Sequence, residues 1–365
     1  MKRRDWLQKS ILSSSSLLVA PYLINGNSSD IFEDEILRLH WNENPFGPSK
    51  NVVKAVQEAV YQSNLYWDEK NLELRKKLAK IHQLNPNQYL MTSGSTEILS
   101  LLGQHVGLMN GEIVMGEQSF PTIAMFGSRC GAKITKVPMA EDYLDLDAIS
   151  SAIGPKTKLV FICNPNNPTS TELDRNELVS FCKAVPSDVL ICVDEAYIEF
   201  SEKGISGSLV NLVPGLHNLV IARTFSKAYG LAGFRLGYAI SQSQNIDALR
   251  NRYPALGMAP GLLPFVAGIS ATDDQKFVKE VVNNTNAGKS IMYEAFDEWG
   301  VKYAQSSTNF LYVQKNAFVK DIRSQLAEKG IWITQWSSMK NHIRISVGKQ
   351  EWMSKLAEEM KKLRA

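Results

Sequence analysis

Short apolar runs alternate with stretches of helical periodicity along most of this chain. Seven runs read as strands: Gln88–Met91, Glu112–Met115, Ile134–Val137, Leu159–Cys163, Val189–Val193, Leu219–Arg223 and Leu236–Ile240. Several are apolar at nearly every position, as strands buried on both faces are. Helix-like segments separate them, so the pattern predicts an α/β fold with a seven-stranded, mostly parallel sheet covered on both sides. Helical spacing also runs from about Lys50 to Gln62 and from Leu72 to Ile81. A Pro/Gly-rich piece beginning at Tyr253 breaks the pattern, and an amphipathic region from roughly Asp273 to Trp299 follows. Strand-like runs at Asn309–Val313 and His342–Val347, a helix near Val319–Lys329 and a closing helix over Glu351–Leu363 then suggest a smaller carboxyl-terminal α+β domain. The expected division is a leading segment 1–30, an arm 31–60, a large domain 61–253 and a small domain 254–365.

The 365 residues fit one large or two medium domains. A hydrophobic share of 44% and a charged share of 21% exclude disordered, coiled-coil and collagen classes. Forty basic against 37 acidic side chains leave a net charge of +3 with no long lysine-rich block, which argues against nucleic acid as a partner. Cys130, Cys163, Cys182 and Cys192 show no CxxC spacing and read as free thiols, and the five histidines show no metal-ligand spacing. At the start, Lys2, Arg3 and Arg4 precede a short, serine-diluted apolar stretch from Ile11 to Ala20. This resembles a bacterial twin-arginine signal, and the expectation is export to the periplasm through the twin-arginine machinery. The plainer alternative is a frayed basic terminus on a cytoplasmic protein. No later run reaches the ~18 uninterrupted apolar residues of a membrane span.

Ligands of open α/β sheets bind beyond the carboxyl ends of the strands, so the residues after each run carry the chemical information. Thr92-Ser93-Gly94-Ser95-Thr96-Glu97 follows the first run. Gly94 permits close backbone approach, Ser95 and Thr96 offer hydroxyls, and free amides at a helix start attract phosphate. A capping box in which Ser93 or Ser95 satisfies those amides explains the same residues. Asn164-Pro165-Asn166-Asn167-Pro168-Thr169 follows the fourth run and reads equally as a turn. Asp194-Glu195-Ala196-Tyr197 puts a carboxylate at the rim of a nearly all-apolar strand, either as a cap or as a ligand to something cationic. Thr224-Phe225-Ser226-Lys227 opens an almost charge-free passage to Arg235 and Gly237, which makes Lys227 a candidate amine nucleophile. These groups fall at one edge of one sheet, in the order that a pyridoxal phosphate site needs.

In LHWNENPFGPS, TSGSTE, NPNNPT, DEAY, RTFSKAYGLAGFRLGY and IRISVG the chain resembles the aspartate-aminotransferase superfamily of fold type I. Within it, the chain is most similar to the histidinol-phosphate aminotransferase-like group, over roughly Leu39 to Val347. The resemblance implies a homodimeric transaminase that uses pyridoxal 5'-phosphate to move an amino group between an amino donor and a 2-oxo acid. Lys227 would attach to the cofactor aldehyde and, once displaced by substrate, shuttle the substrate's α-proton. Asp194 would pair with the pyridine nitrogen, while Tyr197 and Asn167 would hydrogen-bond the phenolic oxygen. Gly94, Ser95, Thr96, Thr224, Ser226 and Arg235 would form the phosphate site, with Phe120 stacked on the ring and Tyr66 reaching the phosphate from a second subunit. Arg344 would fork onto the substrate carboxylate, and Asn44 would be a further substrate-binding residue. Packing in the core is the rival reading for Phe120, and an outward, solvated position is the rival for Arg344.

Two departures stand out. Ser170 occupies a position after NPT where the family usually has glycine, which bears on the φ preference of that turn. Thr334 stands in GIWITQW where histidinol-phosphate enzymes commonly carry an arginine for the substrate phosphate, and this argues against histidinol phosphate as the donor. Trp332 and Trp336 could instead shape an apolar or aromatic pocket, although packing explains them equally. A fold type I decarboxylase or lyase, and a noncatalytic exported binding protein of the same fold, are the alternative functions. A nicotinamide enzyme lacks its GxGxxG after the first strand.

Overall fold

All seven apolar runs are strands of one sheet in the computed structural model, which describes residues 36–252, 260–339 and 341–364. They are β1 Tyr89–Thr92, β2 Glu112–Gly116, β3 Lys133–Val137, β4 Thr157–Cys163, β5 Leu190–Asp194, β6 Leu219–Thr224 and β7 Gly237–Ser241. The order across the sheet is β1-β7-β6-β5-β4-β2-β3. The pairs β2–β3, β2–β4, β4–β5 and β5–β6 are parallel, whereas β7 runs antiparallel to both of its neighbours. Alternation along each strand divides the apolar side chains between two cores. Ile113, Met115, Phe161, Cys192 and Val220 enter one, and Val114, Val160, Ile162, Val193 and Ile221 enter the other. With both faces buried, the strands read as unbroken apolar runs. β1, β5 and β6 each extend one residue past their run because ladder pairing continues through Thr92, Asp194 and Thr224.

The helix expected over 50–62 is an α-helix, Lys50–Ala59, capped by the Ser49 hydroxyl on the Val52 amide, followed by a 3-10 turn, Val60–Gln62. Ahead of the expected amphipathic stretch lies one helix, Leu262–Asp273, and the stretch itself is a second, Gln275–Trp299, which begins where the Asp274 side chain caps the Phe277 amide. Along the second, Val278, Val281, Thr285, Met292, Phe296 and Trp299 recur at helical spacing on the buried side. A third core gathers Met292, Phe296 and Trp299 with Leu37, Leu39, Ile343 and Ile345. Here Phe310–Gln314 and His342–Ser346 pair antiparallel, flanked by helices Ile322–Glu328 and Gln350–Lys362. The arm is therefore stitched to the carboxyl-terminal part, and Leu37–Arg38 also pairs in parallel with Ile331–Trp332. The expected signal segment and the expected boundary after Tyr253 lie outside the described residues. No helix among the described residues is long and apolar enough to cross a membrane.

One consequence of strand direction positions everything that follows. Because β7 is antiparallel, its first residue lies at the same edge as the last residues of β1 and β6, with Gly237 in register with Thr92 and Thr224. A Cβ on Gly237 would stand 2.5 Å from backbone atoms of Gly94 and Ser95, so only glycine lets the turn after β1 lie directly on β7.

The turn after β4 contains two cis X-Pro bonds, Asn164–Pro165 and Asn167–Pro168. Ser170 in this turn adopts φ 63, the left-handed region that glycine favours, and its buried hydroxyl has no hydrogen-bond partner. Left-handed backbone costs an L-residue roughly 1–2 kcal/mol and an unsatisfied buried hydroxyl about 1–3, against roughly 0.5–1 for the greater chain entropy of glycine. Ser170→Gly is therefore expected to stabilise the protein by about 1 kcal/mol. An unchanged or lower urea midpoint would show that the turn is not strained.

Candidate active site

At the shared edge lies a cavity of about 840 Å³, lined by Ser95, Thr96, Phe120, Asn167, Asp194, Tyr197, Thr224, Ser226, Lys227, Arg235 and Arg344. Lys227 follows β6, and its Nζ donates to the carbonyl oxygens of Trp41 and Asn42, both at 3.2 Å. The amine also lies 5.7 Å from the centre of the Tyr197 ring. No carboxylate among the described residues forms an ion pair with it. Burial, reinforced by the nearby Arg344 charge, presses the Lys227 amine down to about 7.

Asp194 ends β5 and is 3% exposed, and its Oδ1 accepts one hydrogen bond, from the Ala196 amide at 3.2 Å. Burial raises this carboxyl to about 7, opposed by the Ala196 amide and the Lys227 charge. Two amides converge on the Tyr197 hydroxyl, Asn42 Nδ2 at 3.0 Å and Asn167 Nδ2 at 3.3 Å, and burial raises its pKa. Arg344 Nη1 donates to Asn167 Oδ1 at 2.7 Å and Nη2 to the His40 carbonyl at 2.7 Å. Its Nε is buried without a partner. The guanidinium lies 4.8 Å from the Trp336 ring centre and 5.3 Å from that of Phe310. Burial lowers its pKa to about 10. The rival reading of a solvated arginine fails because strand alternation sends Ile343 and Ile345 into the third core and turns Arg344 to the cavity side.

The helix Ser95–Leu108 begins after Gly94, at φ 77, with no side-chain cap. The expected capping box is not formed: the helix start has no side-chain cap, the hydroxyls of Ser95 and Thr96 are not used as caps, and the Glu97 carboxylate accepts at 2.6 Å from the amide of Ser93, one residue before the N-cap. Thr224 Oγ1 donates to Ser226 Oγ at 2.9 Å, and Arg235 reaches Ser226 Oγ at 3.4 Å and the Ser93 carbonyl at 3.5 Å. A Cβ on Gly94 would stand 2.5 Å from Arg235 Nη2, so the glycine makes room for the guanidinium beside the uncapped helix start. An uncapped helix start, hydroxyls and an arginine form an anion cradle. Phe120 meets both of its readings: it packs against a sheet core and lines the cavity.

One expected residue is placed elsewhere, and another lies where its expected role concerns a second subunit. Asn44 turns its Nδ2 to the Ala228 carbonyl at 3.0 Å and its Oδ1 to the Phe46 amide at 2.9 Å, pinning the loop after Lys227 instead of lining the cavity. Tyr66 is 80% exposed and lies outside the cavity of its own chain. Sequence reasoning missed Asn42, His40, Trp41 and Arg323, all of which line the cavity. Asn42 was within reach in the same Asn-Glu-Asn triplet, but no spacing rule says which asparagine turns inward. The residues present fit pyridoxal 5'-phosphate: an anion cradle for its phosphate, a buried carboxylate with one backbone partner for its basic ring nitrogen, and a poorly solvated amine for its aldehyde.

The family model described as aminotransferase class I and II matches residues 34–360. A histidinol-phosphate aminotransferase of Brevibacillus brevis is 35% identical over 332 residues, 90% of this chain and 90% of that protein. Histidinol-phosphate aminotransferase 2 of Carboxydothermus hydrogenoformans is 33% identical over 89% of this chain and 90% of its own length. Among solved structures, histidinol-phosphate aminotransferase from Sinorhizobium meliloti in complex with pyridoxal-5'-phosphate superimposes with a TM-score of 0.79 at 28% identity, covering 89% of this chain and 90% of that one.

The Asp194 shift carries a stability consequence. A carboxyl raised to about 7 holds its proton in the folded state where the unfolded chain has released it. Ionising it in place thus costs stability progressively from about pH 4 to about pH 7, and the cost persists above. The cofactor-free Asp194→Asn variant is expected to outlast wild type in urea at pH 8 by on the order of 1 kcal/mol or more, with the gap closing toward pH 4. Equal midpoints at pH 8 would mean that the carboxylate is not desolvated.

Proposed function

We propose, from the premise that this chain belongs to the class I and II aminotransferase family and is a pyridoxal-phosphate-dependent transaminase of fold type I, that Lys227, Asp194, Tyr197 and Arg344 carry its reaction. The observation behind this reading is that all four line one cavity, with the Lys227 amine held close to neutrality. Pyridoxal 5'-phosphate, when bound, supplies an aldehyde that takes up amines and a ring that accepts the electron pair left on the substrate's α-carbon. Ser95, Thr96, Ser226 and Arg235 would hold its phosphate, and Asp194 its ring nitrogen. Arg344 would hold the α-carboxylate of the amino donor, for which its planar fork is better suited than an ammonium. Lys227 would take the donor's α-proton, a role open to its neutral amine, and deliver it to the carbon that had carried the aldehyde; in the second half of the exchange it would move a proton from that carbon to the α-carbon derived from the 2-oxo acid.

The donor class follows from what surrounds Arg344. Thr334 bridges to Arg344 in the backbone, and its short hydroxyl donates to the His40 carbonyl at 2.6 Å. It offers no positive charge to a substrate phosphate. Trp41, 66% exposed, and Trp336 line the same mouth, which favours a donor with an apolar or aromatic side chain. A donor with a distal anion is the second reading, carried by Arg323, an exposed cation that also lines the cavity.

Two further parts of the reading concern assembly and place. A homodimer is supported by the neighbouring exposed residues Val60, Tyr61, Leu65 and Tyr66, and a monomer by light scattering would count against it. Export rests on the Arg3-Arg4 start and the short apolar stretch from Ile11 to Ala20, and activity confined to the cytoplasm of the native host would refute it.

Lys227→Ala is expected to abolish turnover while leaving the fold intact, and retained activity would remove the lysine from the reaction. Arg344→Lys is expected to raise the donor KM about tenfold or more while changing cofactor affinity little; equal loss of both would detach Arg344 from the carboxylate. A donor screen read by the cofactor's absorption change separates the two side-chain classes. Turnover with aromatic donors supports the first, and preference for phosphorylated or dicarboxylic donors supports the second.

A further inference from the structure

We propose that Asn42 is a positioning residue of this site: it fixes the direction in which Tyr197 gives its proton and, through its own carbonyl, seats the Lys227 amine. The proposal rests on the transaminase reading above. Asn42 is 1% exposed and adopts φ 54, a left-handed conformation that asparagine tolerates better than most residues. Its carbonyl accepts from Lys227 Nζ at 3.2 Å and from Asn309 Nδ2 at 3.0 Å.

The side chain is oriented by a serine from the far end of the chain. Ser346 Oγ accepts from the Asn42 amide at 2.8 Å, so its single proton goes to Asn42 Oδ1 at 2.9 Å. Oδ1 is therefore the acceptor, and Nδ2 is left facing the Tyr197 hydroxyl at 3.0 Å. The second amide is oriented just as firmly. Arg344 has only donors, so Asn167 Oδ1 must face it, and Asn167 Nδ2 then faces Tyr197 at 3.3 Å. With two donors aimed at it, the phenol oxygen cannot return its proton to either amide. The free direction for the O–H is the cavity that Tyr197 lines, where the cofactor's phenolic oxygen would be its acceptor. Removing the Asn42 amide leaves the phenol a weaker donor, free to turn.

The test uses the holoenzyme with Asn42→Gly and Ser346→Ala. Glycine keeps the positive φ and the carbonyl under Lys227 but deletes the amide; Ser346→Ala leaves the amide present and unoriented. The readout is the pH midpoint of the cofactor's visible absorption band, which a purely structural role would not move. Wild type must first show a titrating band, and its absence there would sink the transaminase reading rather than this one. In Asn42→Gly the midpoint is expected to rise by roughly half to one unit, because a weaker phenol donor favours the protonated cofactor. Ser346→Ala should shift it less, in the same direction, with near-ultraviolet circular dichroism unchanged. Should Asn42→Gly fail to hold cofactor, Ser346→Ala decides alone. An unmoved or lowered midpoint in the deciding variant overturns the proposal.

Discussion

Lys227 has lost most of its water without gaining a counter-ion. Its hydrogen bonds run to two peptide carbonyls of the arm, Arg344 adds a like charge, and Asp194 lies beyond ion-pair distance. A substantial neutral fraction is thereby available near pH 7, and a neutral amine can attack an aldehyde or accept a proton. Asp194 suffers the converse: burial disfavours its charge, so it has more to gain than a solvated carboxylate from a cationic partner. The cavity brings both groups toward neutral forms that they would scarcely populate in water at pH 7, and the rigidity of the surrounding cores keeps them in place.

That rigidity has three sources meeting at one point. The sheet edge brings Asp194, Lys227 and the turns after β1 and β4. The carboxyl-terminal strand His342–Ser346 brings Arg344 and Ser346. The arm lies between them, anchored by Leu37 and Leu39 in the third core and tied through Asn42 to Tyr197 on the sheet side. A shift of the arm relative to either partner would move the acceptors of Lys227 and Arg344 together, since the consecutive residues His40 to Asn42 supply them, His40 to Arg344, and Trp41 and Asn42 to Lys227.

The sheet was legible because strands covered on both faces write continuous apolar runs, and their polar ends were legible because Thr92, Asp194 and Thr224 interrupt those runs abruptly. Arg344 could be placed on a strand, but its facing could not be read locally. HIRIS alternates cleanly, and only the third core, assembled from residues 37 to 360, decides which set of side chains is inside. Asn42 was invisible for a related reason. It lies in a loop where no alternation applies, so within Asn-Glu-Asn the inward residue is set by a partner 304 positions away. The helix Leu262–Asp273 was hidden because its first turn carries Pro264, within a Pro/Gly-rich run that reads as a break.

The reversed direction of β7 has one more implication. It makes the passage from Phe225 to Leu236 a closed bracket, pinned at its base by the Phe225 amide on the Leu236 carbonyl at 2.9 Å. Lys227 and Arg235 stand on opposite feet of that bracket. The spacing between the amine and the guanidinium is thus written into the number of residues joining them. An insertion there would spread the two feet and misalign both ends of a rigid ligand, whereas the exposed connections at the opposite rim of the sheet carry no such ruler.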